Sequence, residues 1–323
     1  MLVWPAVAVV IGLILLVWSA DRFVAGAAAI AHNLGIPHLI IGVTIVSLGT
    51  SAPEILVAAN AAVSDAVPLA MGNALGSNIA NIGLVLGITA LIAPLPISSR
   101  VMKVENLIMV ITTLAVGYIL YDLNLAFWEG VALLTGLFVF LLWIFRSQSK
   151  GGNEEAAQEL DEEIPTSMDT RIAMFWFLVG LICLMGSARA LVWGATEIAL
   201  HLKVSELVIG ATIVAIGTSL PELAASITSA LKGHHDIAIG NVLGSNIFNL
   251  LAVMAVPGLI NPSDLMADVF WRDYLYMLFI TSLLAIGLIA KGSNKLPLGR
   301  VFGTVMVIVY GGYLFLNYQA LSY

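Results

Sequence analysis

The sequence predicts an all-α polytopic membrane protein: ten transmembrane helices arranged as two inverted five-helix repeats. Three observations carry this expectation. First, 60% of the 323 residues are hydrophobic and only 10% are charged, where an ordinary soluble domain is about 25% charged. A soluble fold of this size would lack the polar surface to cover its core. Second, apolar stretches long enough to cross a bilayer recur along the chain. Third, one half of the chain repeats the other. A disordered, nucleic-acid-binding or disulfide-stapled chain is excluded, and the lone Cys183 has no intramolecular partner.

A spanning helix needs about 20 mostly apolar residues. Polar breaks divide the chain into candidate spans at 3–20, 37–62, 68–93, 104–121, 125–146, 172–193, 204–230, 237–260, 270–290 and 297–319. The first lacks a basic leader and a cleavage pattern followed by a polar domain, so it reads as a span and not a signal peptide. The stretch 147–171 is polar and acidic. It reads as an extramembrane linker between a first five-helix repeat, 1–146, and a second, 172–323. Seven of the twenty acids lie in or beside it: Glu154, Glu155, Glu159, Asp161, Glu162, Glu163 and Asp169. That number equals the size of the formal net charge of −7, so the acidic balance is largely a property of the linker. Its composition reads as a solvated, partly disordered tether. It lacks the alternating ligands and turn glycine of an EF-hand.

Basic residues orient the spans, because cytoplasmic loops are enriched in Lys and Arg. With the N-terminus outside, Arg22, Arg100, Lys103, Arg146, Lys150, Arg171, Lys232, Lys291, Lys295 and Arg300 face the cytosol. Only Arg189, Lys203 and Arg272 remain elsewhere. Both termini are therefore expected outside and the linker in the cytosol.

The repeat has a constant offset of 168 residues. GVTIVSLGTSAPE, residues 42–54, matches GATIVAIGTSLPE, residues 210–222, and GNALGSNIAN, residues 72–81, matches GNVLGSNIFN, residues 240–249. Residues 42–92 and 210–260 are identical at 22 of 51 positions. An odd number of spans per copy inverts the second copy, an arrangement that secondary transporters use with sites near the bilayer midplane.

Glu54 and Glu222 fall midway along the second and seventh spans. A carboxylate at that depth costs several kcal/mol (about 3 or more) unless it is paired, neutralised or cation-bound. The second and third spans hold no Lys or Arg, so a mobile cation or a proton is the natural partner. These two are expected to be the only acids deep in the repeated core. Thr50 and Ser51 lie four and three residues before Glu54, on one helical face, and Thr218 and Ser219 repeat this before Glu222. Pro53 and Pro221 should kink the helix, beside Gly49 and Gly217, and free carbonyls near Ser47 and Ala215. Asn73, Ser77 and Asn81 form a polar stripe in the third span. Asn241, Ser245 and Asn249 do so in the eighth. Gly72 and Gly76, with Gly240 and Gly244, form GxxxG, a weak dimerisation signal alone, and should here let spans 2 and 3 approach within one chain. These hard oxygen donors suit Ca²⁺, Na⁺ or H⁺. His and Cys are absent among them, which disfavours zinc or copper.

The paired motifs resemble the two alpha-repeats of the calcium/cation antiporter superfamily, the sodium/calcium exchangers, and the short-loop form resembles their bacterial inner-membrane branch. The resemblance covers nearly the whole chain. It implies a central diamond of spans 2, 3, 7 and 8, with spans 1 and 6 moving across it to alternate access. It implies that Glu54 and Glu222 are the key ligands. Thr50, Ser51, Thr218, Ser219, Ser77 and Ser245 would add side-chain or backbone oxygens. Ser47 and Ala215 would add carbonyls, and Asn81 and Asn249 would fill the remaining ligand positions. Some family members carry Asp at one of these last two places. Here both are Asn, one carboxylate fewer, which leaves H⁺ open as the driving ion.

The expected activity is secondary antiport of Ca²⁺ against Na⁺ or H⁺ across a bacterial inner membrane. The ions would be substrates, with no cofactor. The lipid bilayer is the expected partner, with no nucleic acid and no obligatory protein partner. A passive cation channel could use the same oxygens. An intramembrane enzyme ranks last, since no Ser–His pair, paired Asp motif or His cluster lies at membrane depth.

Overall fold

The computed structural model describes residues 2–97, 104–162, 168–203, 213, 215–293 and 296–320. It is all-helical apart from a two-residue ladder that pairs Asn124 with Asp264 and Leu125 with Ser263, and one bridge between Leu95 and Leu298. In chain order the helices are α1 (Val3–Leu34), α2 (His38–Thr50), α3 (Ala52–Val63), α4 (Val67–Ile92), α5 (Asn106–Leu120) and α6 (Phe127–Glu162). Then follow α7 (Thr170–His201), α8 (Ala215–Thr218), α9 (Leu220–Leu231), α10 (His235–Ile260), α11 (Val269–Lys291) and α12 (Arg300–Ala320). Among the described residues, seven helices are long and apolar enough to cross a membrane, or eight if α2 and α3, bent by 42°, count as one. The fourth expected span appears as α5, only 15 residues long. Most of 204–214, the start of the seventh expected span, lies outside the described residues, as do Arg100, Lys103 and Lys295.

Burial sorts the helices. In α4 and α10, 72% and 83% of the spanning window is buried; in α1, α6, α7 and α12 the share is 22–28%. The centre is thus made of α2/α3, α4, α8/α9 and α10, which pack on one another. α12 covers α4, and α6 covers α10. The outer helices turn large apolar side chains outward, among them Trp4, Tyr118 and Val301, which suits a hydrocarbon solvent.

α1 and α7 run well beyond the expected spans 3–20 and 172–193. Asp21 and Arg22 do not end α1. Asp21 pairs with Lys232 at 2.7 Å and Arg22 sits 5.1 Å over the Trp176 ring, while the alanine-rich run after Phe23 favours helix. Each helix has 32 residues, about 48 Å at 1.5 Å per residue, longer than a hydrocarbon core about 30 Å thick. They pack antiparallel. A Cβ on Gly26 would lie 2.6 Å from the Phe177 nitrogen, and one on Gly180 2.5 Å from that of Phe23. Gly194 meets Pro5 and Gly12 meets Ser187 in the same way. Gly12 and Gly180, like Gly26 and Gly194, are 168 residues apart, so each copy contributes the same small residues to the contact.

Gly240 and Gly244 serve a different contact from the one expected. They let α10 approach α2 of the other half, where added Cβ atoms would strike the carbonyls of Leu39 and Val43 and the Ser47 hydroxyl. The helix of the fifth span also runs on to Glu162, so the start of the acidic stretch is helical where composition suggests disorder.

Candidate functional site

Proline sets the local structure around both acids. Pro53 and Pro221 stand in the first turns of α3 and α9, where the missing N–H costs nothing. The chain therefore stops and restarts a helix instead of merely bending one. Ser51 (φ −83°, ψ 2°) and Ser219 (φ −91°, ψ 7°) join the segments in nearly identical conformations. Glu54 and Glu222 consequently lie in the first turn of a new helix, at the end of its dipole that favours negative charge.

The break changes the expected geometry. Thr50, Ser51 and Glu54 do not form one continuous helical face. The Thr50 hydroxyl lies 3.1 Å from Asn241 Oδ1 and 3.5 Å from Ser245 Oγ, both on α10. Thr50 and Ser51 also lie against the Glu222 carboxylate, and Ser77 lies against that of Glu54. Hydroxyls of the first half thus face the acid of the second. The Ser47 carbonyl is not released by the break, because Ser51 N–H donates to it at 2.9 Å and the Thr50 hydroxyl lies at 3.3 Å. The donor that Pro53 lacks would have reached Gly49 instead. Near Ala215, Ser219 N–H donates to Ile216 at 3.1 Å; the Ala215 side chain is outside the described set.

The stripes on α4 and α10 do face this centre. Ser77, Asn81, Ser245 and Asn249 are buried, as are Ser47, Thr50, Ser51, Ser219, Glu54 (1% exposed) and Glu222 (0%); Thr218 is half-buried. Each amide also begins a π-helical turn, Asn81–Leu86 and Asn249–Val253, a local widening common at functional sites. Asn73 donates to the Glu54 carbonyl at 3.4 Å, and Asn241 to that of Glu222 at 3.3 Å.

Several buried polar atoms here have no hydrogen-bond partner in the protein: Ser51 Oγ, Ser219 Oγ, Glu54 Oε2, both Glu222 oxygens, and both amide atoms of Asn81 and of Asn249. A buried polar group without a partner costs about 1–3 kcal/mol. Among the described residues neither acid has a Lys, Arg or His ion-pair partner. Two carboxylates ringed by hydroxyl and amide oxygens have the chemistry of a hard-cation site.

Glu54 and Glu222 are not the only buried acids. Glu105 and Asp273, again 168 residues apart, are 2% and 5% exposed. Asp273 is held by Arg272 at 2.9 Å and by the Tyr313 hydroxyl at 3.2 Å. Each lies near the edge of a predicted span, where hydropathy gives no depth. Ser226, which receives a bond from Asn241 at 3.0 Å, was also invisible, since its counterpart at 58 is alanine and the repeat does not flag it.

The sodium/calcium exchanger protein family matches residues 4–146 and 172–319. The CaxA protein of Alkalimonas amylolytica is 44% identical over 315 residues, 97% of this chain and 98% of CaxA. Inner membrane protein YrbG of Escherichia coli (strain K12) is 40% identical over 311 residues, 94% of this chain and 93% of YrbG. A solved structure of the sodium-calcium exchanger NCX_Mj superposes with a TM-score of 0.82 at 31% identity, covering 96% of this chain and 97% of that one.

Proposed function

This chain belongs to the sodium/calcium exchanger protein family, and from that premise we propose that it exchanges Ca²⁺ for Na⁺ or H⁺ by alternating access. Membrane transport by antiport is the family's activity. The finer reading is that the ions bind between α2/α3, α4, α8/α9 and α10. The observation that carries it is the set of unpartnered buried oxygens around Glu54 and Glu222.

In this reading the Glu54 and Glu222 carboxylates supply the charge that balances the ion. Thr50, Ser51, Thr218, Ser219, Ser77 and Ser245 supply neutral oxygens, Asn81 and Asn249 complete the ring, and the Ser47 and Ala215 carbonyls lie at its edge. The same two charges would be balanced by one Ca²⁺ or by monovalent ions. Competition for them would couple the fluxes, because the second ion enters only after the first leaves. Ten spans in two inverted halves, with both termini outside and the acidic segment in the cytosol, would serve the two faces of the membrane alike. The reciprocal glycine contacts of α1 and α7 support that symmetry.

Proteoliposomes test this reading. With Ca²⁺ equal on both sides, an imposed Na⁺ or H⁺ gradient should drive Ca²⁺ uphill, and varying the two gradients separately identifies the co-ion. Ca²⁺ movement only down its own gradient would mean a channel and would overturn antiport.

A further inference from the structure

Asn241 is fully buried on α10 and makes three directed contacts. Its Nδ2 donates to Ser226 Oγ at 3.0 Å and to the Glu222 carbonyl at 3.3 Å. Its Oδ1 accepts from the Thr50 hydroxyl at 3.1 Å. A primary amide has two N–H donors and one acceptor oxygen. Here both donors are used on one side, so a flip would set the amide oxygen against the Glu222 carbonyl, which can only accept. The oxygen is therefore fixed toward Thr50, a residue of the other half of the chain.

A hydroxyl that binds a cation must turn its lone pairs to the ion and its single proton away. The other acceptors near Thr50 are the Ser47 carbonyl at 3.3 Å and Ser245 Oγ at 3.5 Å. Asn241 Oδ1 is nearer, and it cannot donate in return. The first half lacks the counterpart of the Ser226 bond. Asn73 donates to the Glu54 carbonyl at 3.4 Å, but the position matching Ser226 is Ala58, fully buried and without an acceptor.

We propose that Asn241, locked by Ser226, is a positioning residue that sets the Thr50 hydroxyl as a cation ligand and so raises affinity for Ca²⁺. The proposal rests on the cation-site reading above. Its test uses the full-length protein and two readouts: the Ca²⁺ dependence of flux in proteoliposomes, and the rise in melting temperature that Ca²⁺ produces in detergent. Ser226→Ala should raise half-saturating Ca²⁺ about fivefold, the scale of one lost hydrogen bond, with the maximal rate within about twofold. It should shrink the Ca²⁺-induced melting shift in step, and Ser226→Thr, which keeps the hydroxyl, should restore both. Ala58→Ser, which offers Asn73 a second acceptor, should lower half-saturating Ca²⁺. A Ser226→Ala protein with wild-type Ca²⁺ dependence in both readouts overturns the proposal. So does one that loses only ion-free stability, which is what a purely structural bond would give. If Ser226→Ala does not fold, an unchanged Ala58→Ser protein overturns it. A wild type stabilised by Ca²⁺ but moving none would sink the exchange reading alone, since the melting comparison still decides the role of Asn241.

Discussion

At the scale of single residues, the central chemistry is a set of polar atoms that the protein buries and leaves unpaired. Removing a side chain that has no protein partner forfeits no internal bond. Ser51→Ala and Ser219→Ala should therefore leave the ion-free melting transition within about 0.5 kcal/mol of wild type, yet reduce the stabilisation that Ca²⁺ confers. Thermal melts with and without Ca²⁺ make the comparison, and a large loss of ion-free stability would argue against a ligand role. Glu54→Gln and Glu222→Gln remove charge while keeping shape. Each should lower Ca²⁺ uptake into inverted vesicles at least about tenfold, since an ion-balancing charge at membrane depth is worth about 1.4 kcal/mol or more. Wild-type uptake in either variant would refute the assignment.

At the scale of elements, close approach between the halves depends on glycine. Gly244 lies against Val43 and Ser47, so Gly244→Ala must push α2 from α10 and with it move Thr50 from Asn241. The expected cost is about 1–3 kcal/mol, as for other overpacked sites, and Ca²⁺ affinity should fall with it. Gly180→Ala presses on the Phe23 backbone and should cost a similar amount in a detergent melt. It leaves the Glu54 and Glu222 surroundings intact, so the Ca²⁺-induced shift should persist. The broken helices also explain a mismatch between sequence and structure. Helical spacing placed Thr50, Ser51 and Glu54 on one face, but that rule holds only while the helix continues. Proline at the start of a turn restarts it, and Thr50 then faces the opposite half.

At the scale of the whole molecule, the offset of 168 residues recurs in three dimensions. It relates the acids, the polar stripes, the π-helical turns and the glycines of α1 and α7. The acidic segment stands outside this pattern. Deleting residues 152–163 should leave the Ca²⁺ dependence of transport unchanged within about twofold, the behaviour of a solvated connector. A shifted dependence, measured by flux, would make it a sensor. That the chain is a helical membrane protein was legible because a bilayer demands long apolar runs. Span ends were less so: Asp21 and Arg22 look like a boundary in sequence, and their contacts with Lys232 and Trp176 carry α1 through it.

The sequence by itself determined the membrane class, the duplication and the identity of the central acids. Each of these is written in composition, periodicity or repetition, which need no knowledge of neighbours. Only the tertiary structure decided which half's hydroxyls meet which acid, that the Ser47 carbonyl is engaged, that Glu105 and Asp273 are also buried, and that Ser226 anchors Asn241. The physical reason is common to all four. Each is a relation between groups far apart in the chain, or between one group and its solvent exposure, and it exists only once the helices are packed.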